Sequence, residues 1–226
     1  GKAGDEVINK LADRLISVDL LEQAAQLLNY QVSFRLRNGE KARVGTKLAA
    51  VYLVDKQPDK WLEILDNSRF KTIPEELKLE RRYLRARAHL EKQEYEEVLN
   101  LLKDDERSEG RAIRAEVFWR NKNWVEAANG FDLALGSRWM SDEALSLNDR
   151  NHVMQMTVSL ALLDDWTGLN RARSRWGRLM SQSVDAEPFD ILTSNPDVTS
   201  IDFRKVASRI AQINTLDAFI DRYRKN

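Results

Sequence analysis

One helix-start pattern recurs along the chain and restricts it to helical hairpins. It runs polar residue, Leu or aromatic, Glu, then a small or apolar residue. It reads Asp19-Leu20-Leu21-Glu22 before Ala24, Glu94-Tyr95-Glu96-Glu97-Val98, Asn123-Trp124-Val125-Glu126-Ala127 and, more loosely, Asp165-Trp166-Thr167-Gly168-Leu169. The first residue is expected to cap a helix, the Glu to return to the cap's backbone N–H, and the aromatic to cover the preceding turn. Another stretch of helical periodicity lies before each start, so the unit is helix, short turn, helix. The fold class that follows is all-α. Nine Gly and four Pro are too few for a protein of many short strands and tight turns.

The segments can be placed along the chain. Residues 74–93 carry Leu77, Leu79, Tyr83, Leu84, Ala86, Ala88 and Leu90 at mixed three- and four-residue steps. Thr72 and Glu75 form an expected capping box, with Pro74 in the first turn, where its missing N–H is harmless. The partner helix spans 95–102, and the next pair is 108–121 with 124–135. Upstream, 5–17 pairs with 20–36 and 41–54 with 58–65; downstream, 142–163 pairs with 166–180. Residues 1–180 thus predict about five hairpins in one domain. Residues 181–200, with Pro188 and Pro196, predict a long loop. Residues 202–213 and 215–224 predict two closing helices of the same domain, hiding the apolar end of the stack.

Composition removes several function classes. Thirty-six basic residues balance thirty-six acidic ones, so no net field favours nucleic acid or an anionic membrane surface. The apolar run from Leu48 to Val54 is about a third of the ~20 residues that span a bilayer, so membrane insertion is not expected. With no cysteine there is no thiolate nucleophile or thiolate metal site, which suits the cytosol and the periplasm equally. No basic-then-apolar leader precedes Asp5, and the Gly1-Lys2-Ala3-Gly4 start reads either as a cloning remnant or as an excised fragment's edge.

The residues Ala115, Trp124, Ala127, Phe131 and Ala134, with Ala86, Tyr95, Val98 and Leu102 in the unit before, resemble the tetratricopeptide-repeat family. Its ~34-residue hairpins place small residues where helices cross and aromatics where repeats stack. Here the anchor aromatics lie 29 and 42 residues apart, from Tyr95 to Trp124 to Trp166, so the repeats are degenerate. The resemblance implies a right-handed α-solenoid of antiparallel hairpins with C-terminal capping helices. It also implies a peptide-binding groove lined by first helices, which would receive Tyr83 and Arg87, then Glu116, Trp119 and Arg120, then Met154. The Lys-x-x-x-Asn clamp that family members use for a C-terminal carboxylate is absent from these helices. Runs such as Leu48-Ala49-Ala50-Val51-Tyr52-Leu53 look like the C-terminal portions of long bacterial repeat proteins exported to the periplasm, which implies that compartment and a longer parent chain.

Catalytic and cofactor chemistry finds no foothold in the sequence. His89 and His152 lie in different hairpins with no acidic or His neighbour at i+4, so helix-surface histidines are the plain reading. There is no phosphate loop, nucleophile elbow or zinc-binding helix motif. The arginine clusters Arg81, Arg82, Arg85, Arg87 and Arg171, Arg173, Arg175, Arg178 read first as solvated or internally paired charges, and second as partner-binding groups. Trp119, Trp124 and Trp166 are expected in the core. The expected function is a protein-interaction scaffold for a protein or peptide partner, not an enzyme, with no cofactor. A structural end-domain, its edge open at Ile8 and Leu11, is the alternative. A helical enzyme or nucleic-acid binder is disfavoured.

Overall fold

The computed structural model describes residues 2–194 and residue 210. The closing helices expected over 202–213 and 215–224 lie outside these residues, apart from Ile210, which is helical and buried. Among the described residues every regular element is helical. They are α1 (Lys2–Ser17), α2 (Leu21–Tyr30), α3 (Asn38–Val54), α4 (Pro58–Asn67), α5 (Glu75–Glu91), α6 (Tyr95–Leu102), α7 (Ser108–Arg120), α8 (Trp124–Leu135), α9 (Leu147–Leu162), α10 (Trp166–Met180) and α11 (Ala186–Ser194). A π-helical turn, Gln31–Arg35, extends α2, and a 3-10 turn, Arg138–Met140, follows α8.

The chain divides into two compact units, the change falling between Leu101 and Leu102 inside α6. In the first unit each helix from α1 to α5 packs on the next, and α3 also touches α5. In the second, the same succession runs from α7 to α11, with α9 reaching both α7 and α11. Each unit has its own core. Ala12, Leu28, Leu48, Trp61, Leu65 and Leu84 fill the first, and Ala115, Phe131, Val153, Met154, Leu169 and Trp176 the second.

Five chain reversals are built alike. Three residues separate α1 from α2, α3 from α4, α5 from α6, α7 from α8 and α9 from α10. The middle residue of each is left-handed: Asp19 (φ 62°), Lys56 (51°), Gln93 (60°), Lys122 (57°) and Asp164 (54°). The N–H of the following residue then donates to the carbonyl five positions back, Leu20 to Leu15, Gln57 to Tyr52, Glu94 to His89, Asn123 to Phe118 and Asp165 to Leu160, at 2.9–3.0 Å. This closure is the Schellman motif, which satisfies carbonyls that a helix end leaves open. The donor also stands directly before the next helix, so one residue ends a turn and starts a helix. Asn123 and Asp165 add a side-chain cap, accepting from the N–H of Glu126 (3.4 Å) and Gly168 (2.8 Å). The turn within a hairpin is therefore constant, while the helices and the connections between hairpins both vary in length, and together they account for the uneven repeat spacing.

A non-glycine residue in the left-handed region costs about 1–2 kcal/mol, most for a β-branched side chain. Lys122→Val is expected to lower stability by about that amount. Lys122→Gly, freed of the Cβ clash but richer in unfolded-chain entropy, should leave stability unchanged or slightly higher. Urea midpoints of the two variants check this, and equal losses would show that the turn is not held at positive φ.

Several local expectations are corrected. Asp19 is not a cap: α2 begins after Leu20, which offers no side-chain cap. Thr72 does not cap α5 either; Pro74 is itself the N-cap, in extended geometry, because its ring favours a helix beginning directly after it. The helix expected from residue 142 starts at Leu147 instead, capped by the Ser146 hydroxyl, which accepts from the Asp149 N–H at 3.1 Å. The loop expected over 181–200 contains α11. Pro188 sits in its first turn, where no N–H is needed, and Phe189 and Leu192 are buried.

Close crossings use small residues. A Cβ on Gly45 of α3 would lie 2.4 Å from the Cβ of Ser68, just past α4, and one on Gly130 of α8 would lie 2.7 Å from the Cβ of Ala115 on α7. Helix α9 is buried on all sides from Asn151 to Ala161. Its Thr157 and Ser159 hydroxyls donate to the carbonyls one turn back, at 2.7 and 2.9 Å, which lets polar residues occupy a core helix.

Candidate functional site

The groove residues expected from the sequence are placed mostly inside. Tyr83 and Arg87 on α5 are buried in the first unit. In the second, Glu116 on α7 and Met154 on α9 are buried, and Met154 belongs to the core cluster. Trp119 and Arg120 remain half-buried. Glu116 accepts from Arg120 at 2.9 Å, one helical turn away, and the Trp119 and Trp124 rings meet edge-on with centroids 5.3 Å apart. Arg87 is 3% exposed, so it is not the freely solvated arginine whose removal leaves folding untouched.

A groove on first helices does exist, earlier in the chain. It crosses α1, α3 and α5 within the first unit and measures about 830 Å³ including its open mouth. One stripe of α3, Arg43, Thr46, Lys47, Ala50, Val51 and Val54, forms its middle at the three- and four-residue spacing of a single helix face. Ile16 of α1 and Leu77 of α5 complete an apolar floor. The rim carries four charged residues: Lys47 pairs with Asp13 at 2.6 Å, Arg43 pairs with Glu40 at 2.8 Å, and Glu80 is the fourth. The result is a concave apolar strip bordered by neutralised ion pairs, which favours apolar side chains over a charged ligand.

The arginine clusters act chiefly within the protein. Arg81 turns inward and donates to the Ala42 and Leu65 carbonyls and to the Thr46 and Ser68 hydroxyls, at 2.5–3.3 Å, tying α3, α4 and α5 together beneath the groove. Burial, and then the neighbouring Arg85 charge, lower its pKa from the ordinary arginine value. Arg85 pairs with Asp66 at 2.6 Å. In the second unit Arg173 pairs with Asp190 at 2.9 Å, Arg178 with Asp142 at 3.2 Å, and Arg175 lies over the Trp139 ring. Arg171 forms no ion pair among the described residues and lines a small cavity with Arg175 and Trp176.

His89 has a partner that the i+4 rule does not find, because the α5–α6 turn brings it in from outside the helix. Its Nδ1 lies 2.6 Å from the Glu94 carboxylate, which Lys92 also approaches at 3.2 Å. Hydrogen bonds from His89 and then Lys92 hold the Glu94 carboxyl below its ordinary pKa. Among the described residues, no group of three or more His, Cys, Asp or Glu is placed to hold a metal, and no helix is long and apolar enough to cross a membrane. Compared with known protein families, curated proteins and solved structures, the chain matches none.

Proposed function

We propose that the chain is a tetratricopeptide-repeat-like interaction module that binds a protein or peptide partner, with the groove across α1, α3 and α5 as its docking surface. The observation that carries this reading is the concave strip in which the half-buried Val54 and Leu77 lie over the buried Ile16, Ala50 and Val51 on three first helices, with Lys47, Asp13 and Arg43 on its border held in ion pairs. Apolar contact desolvated by a surrounding polar rim is where binding energy concentrates. The repeated Schellman hairpins support the repeat assignment, since each leaves an apolar face for its neighbour. On this reading the protein does no covalent chemistry, needs no cofactor and is not a nucleic-acid binder. The periplasmic placement rests on family resemblance.

A specific observation favours the structural end-domain as second reading. Val7 and Leu11 on α1 are 65% and 49% exposed, and Tyr30 and Phe34, 5.6 Å apart in a tilted pair, are 51% and 71% exposed. This edge of the first unit is left apolar and uncovered by the described residues.

Photo-crosslinking in the native host separates the two. A photoreactive residue at Leu77 is expected to give a discrete adduct with another protein, and one at Glu97, on an exposed face of α6, to give none. Adducts confined to Leu11 and joining the protein only to copies of its own chain would support the end-domain and remove the groove reading.

A further inference from the structure

The first hairpin leaves open the face by which each later hairpin meets the one before it. Counted back from the left-handed turn residue, the twelfth and eighth positions show this. In α3 they are Val44 and Leu48, both 0% exposed in the core where α3 packs on α2. In α5 they are Arg81, which donates to the Ala42 and Leu65 carbonyls, and Arg85, which pairs with Asp66, so both reach back to α3 and α4. In α7 the eighth is Arg114, which donates to the Leu102 carbonyl at the end of α6. In α9 they are His152, whose ring stacks on Phe131 of α8, and the buried Met156. In α1 they are Val7 and Leu11, 65% and 49% exposed. Two aliphatic side chains thus stand in water where every later hairpin meets a neighbour.

The helix beside them carries a second, independent signal. Residues 23–34 hold no Asp, Glu, Lys or Arg, although these make up 32% of the chain. The one longer charge-free run, 151–163, belongs to α9, which is buried on all sides from Asn151 to Ala161. Helix α2 and its π-helical extension instead keep an open side, where Leu20, Leu27, Tyr30 and Phe34 recur at helical steps. Gln31 donates to the Asp5 carbonyl at 2.9 Å and Arg35 pairs with Asp5 at 2.5 Å, which sets the end of α2 against the start of α1. On α1, Asp13 and Ile16 line the groove toward α3, while Val7 and Leu11 lie on the opposite side of the helix. The open stripes of α1 and α2 therefore share the side of the hairpin that faces away from α3, with Arg14 at the margin.

We infer that the chain pairs with a second copy of itself through this face, α2 of each copy covering Val7 and Leu11 of the other. A two-fold axis running along the hairpin lays each α2 antiparallel over the other copy's α1, so one contact fills both vacant neighbour positions and closes as a dimer. The missing charge on α2 suits this partner, because its face is buried without desolvating an ion. Helix α1 has 16 residues and is about 24 Å long. Two helices side by side are about 20 Å wide, which gives a footprint of about 500 Å² per copy and about 1,000 Å² in total, at the lower end of specific interfaces. The dimer is accordingly expected in the micromolar range. The pairing rests on the open edge of the end-domain reading and names its occupant; the groove across α1, α3 and α5 is not involved.

Sedimentation velocity of the full chain from about 1 µM to about 1 mM tests this. The mass is expected to rise from the 26.2 kDa of one chain to twice that and to stop there. Leu11→Glu and Phe34→Glu should each raise the dissociation constant about tenfold or more, while Val184→Glu, at an exposed position of the second unit, should leave it unchanged. Melting temperatures at the lowest concentration should match the parent for all three. A photoreactive residue at Leu11, in a mixture of isotope-labelled and unlabelled chains, should attach to the tryptic peptide 15–35 of the other copy. A monomer at every concentration, growth past the dimer, dimers undiminished in both folded Glu variants, or an adduct on a different peptide would each overturn the proposal. A monomer whose Leu11 adduct in the native host joins a different polypeptide segment would leave the end-domain reading standing without the dimer.

Discussion

Trp176→Ala is expected to destabilise the second unit by about 3–5 kcal/mol, and Trp61→Ala the first unit by a similar amount. Both indoles are 0% exposed and both lie in the core clusters of their units. Truncation removes the largest fully buried side chain of each core, and helices fixed by three-residue turns cannot close on the void. One term opposes this. Among the described residues neither indole N–H has a hydrogen-bond partner, so each deletion also relieves an unsatisfied donor worth about 1–3 kcal/mol. The Ala variants should therefore fall at the low end of the range. Trp176→Phe, which keeps most of the packing and removes the same donor, should cost far less. Trp124→Ala, at a position the sequence analysis expects in the core, should cost less than either Ala variant because that ring is only half-buried. Hydrogen exchange measured unit by unit checks this ordering. Equal protection in Trp61→Ala and the parent would show that the first-unit core is not organised around that side chain.

Gly45→Ala is expected to destabilise by about 1–3 kcal/mol or more, although Ala is the better helix former. The added Cβ would stand 2.4 Å from the Ser68 Cβ, an atom fixed to the backbone, so the α3–α4 crossing itself must move. Movement there also disturbs Arg81, which donates to the Ser68 hydroxyl at 3.2 Å and to the Ala42 and Leu65 carbonyls. Ser68→Gly removes the obstructing Cβ at the cost of two hydrogen bonds from Arg81 and of the one its hydroxyl donates to the Ile64 carbonyl. In the double variant the Gly45→Ala penalty should shrink markedly, giving a favourable coupling energy above about 0.5 kcal/mol in a double-mutant cycle. Strict additivity of the two changes would mean that the helices do not cross at Gly45 and Ser68.

The sequence revealed the helices more fully than the site. Caps and periodicity placed α6, α8 and α10 at the residues where they occur, because each starts at a polar residue that closes a turn and ends where apolar spacing stops. The loop expected around Pro188 failed for a local reason: proline breaks a helix interior but is tolerated in its first turn, and only tertiary burial of Phe189 and Leu192 decides between the two. The groove residues were harder to find. Tyr83, Arg87 and Glu116 have the residue types of a binding face, yet burial on folding depends on which helices lie over them, and their own spacing does not contain that. The α3 stripe from Arg43 to Val54 was readable as a face, since its members recur at helical steps. Its apolar character, however, reads as core, and Thr46, Ala50 and Val51 are indeed buried; only burial shows that the half-buried Lys47 and Val54 reach the groove surface. The π-helical turn had no sequence signal, because no side-chain pattern in Gln31–Arg35 marks the wider helix.

The most direct test of the binding reading pairs affinity with stability in Leu77→Asp. Leu77 is the third residue of α5, in the turn where a negative charge favours the helix N-terminus. The substitution thus places a carboxylate in the apolar floor while supporting the helix that carries it. With the partner captured through Leu77 in hand, the account predicts at least a tenfold loss of affinity at an unchanged melting temperature. Undiminished binding by the folded Leu77→Asp variant would contradict it.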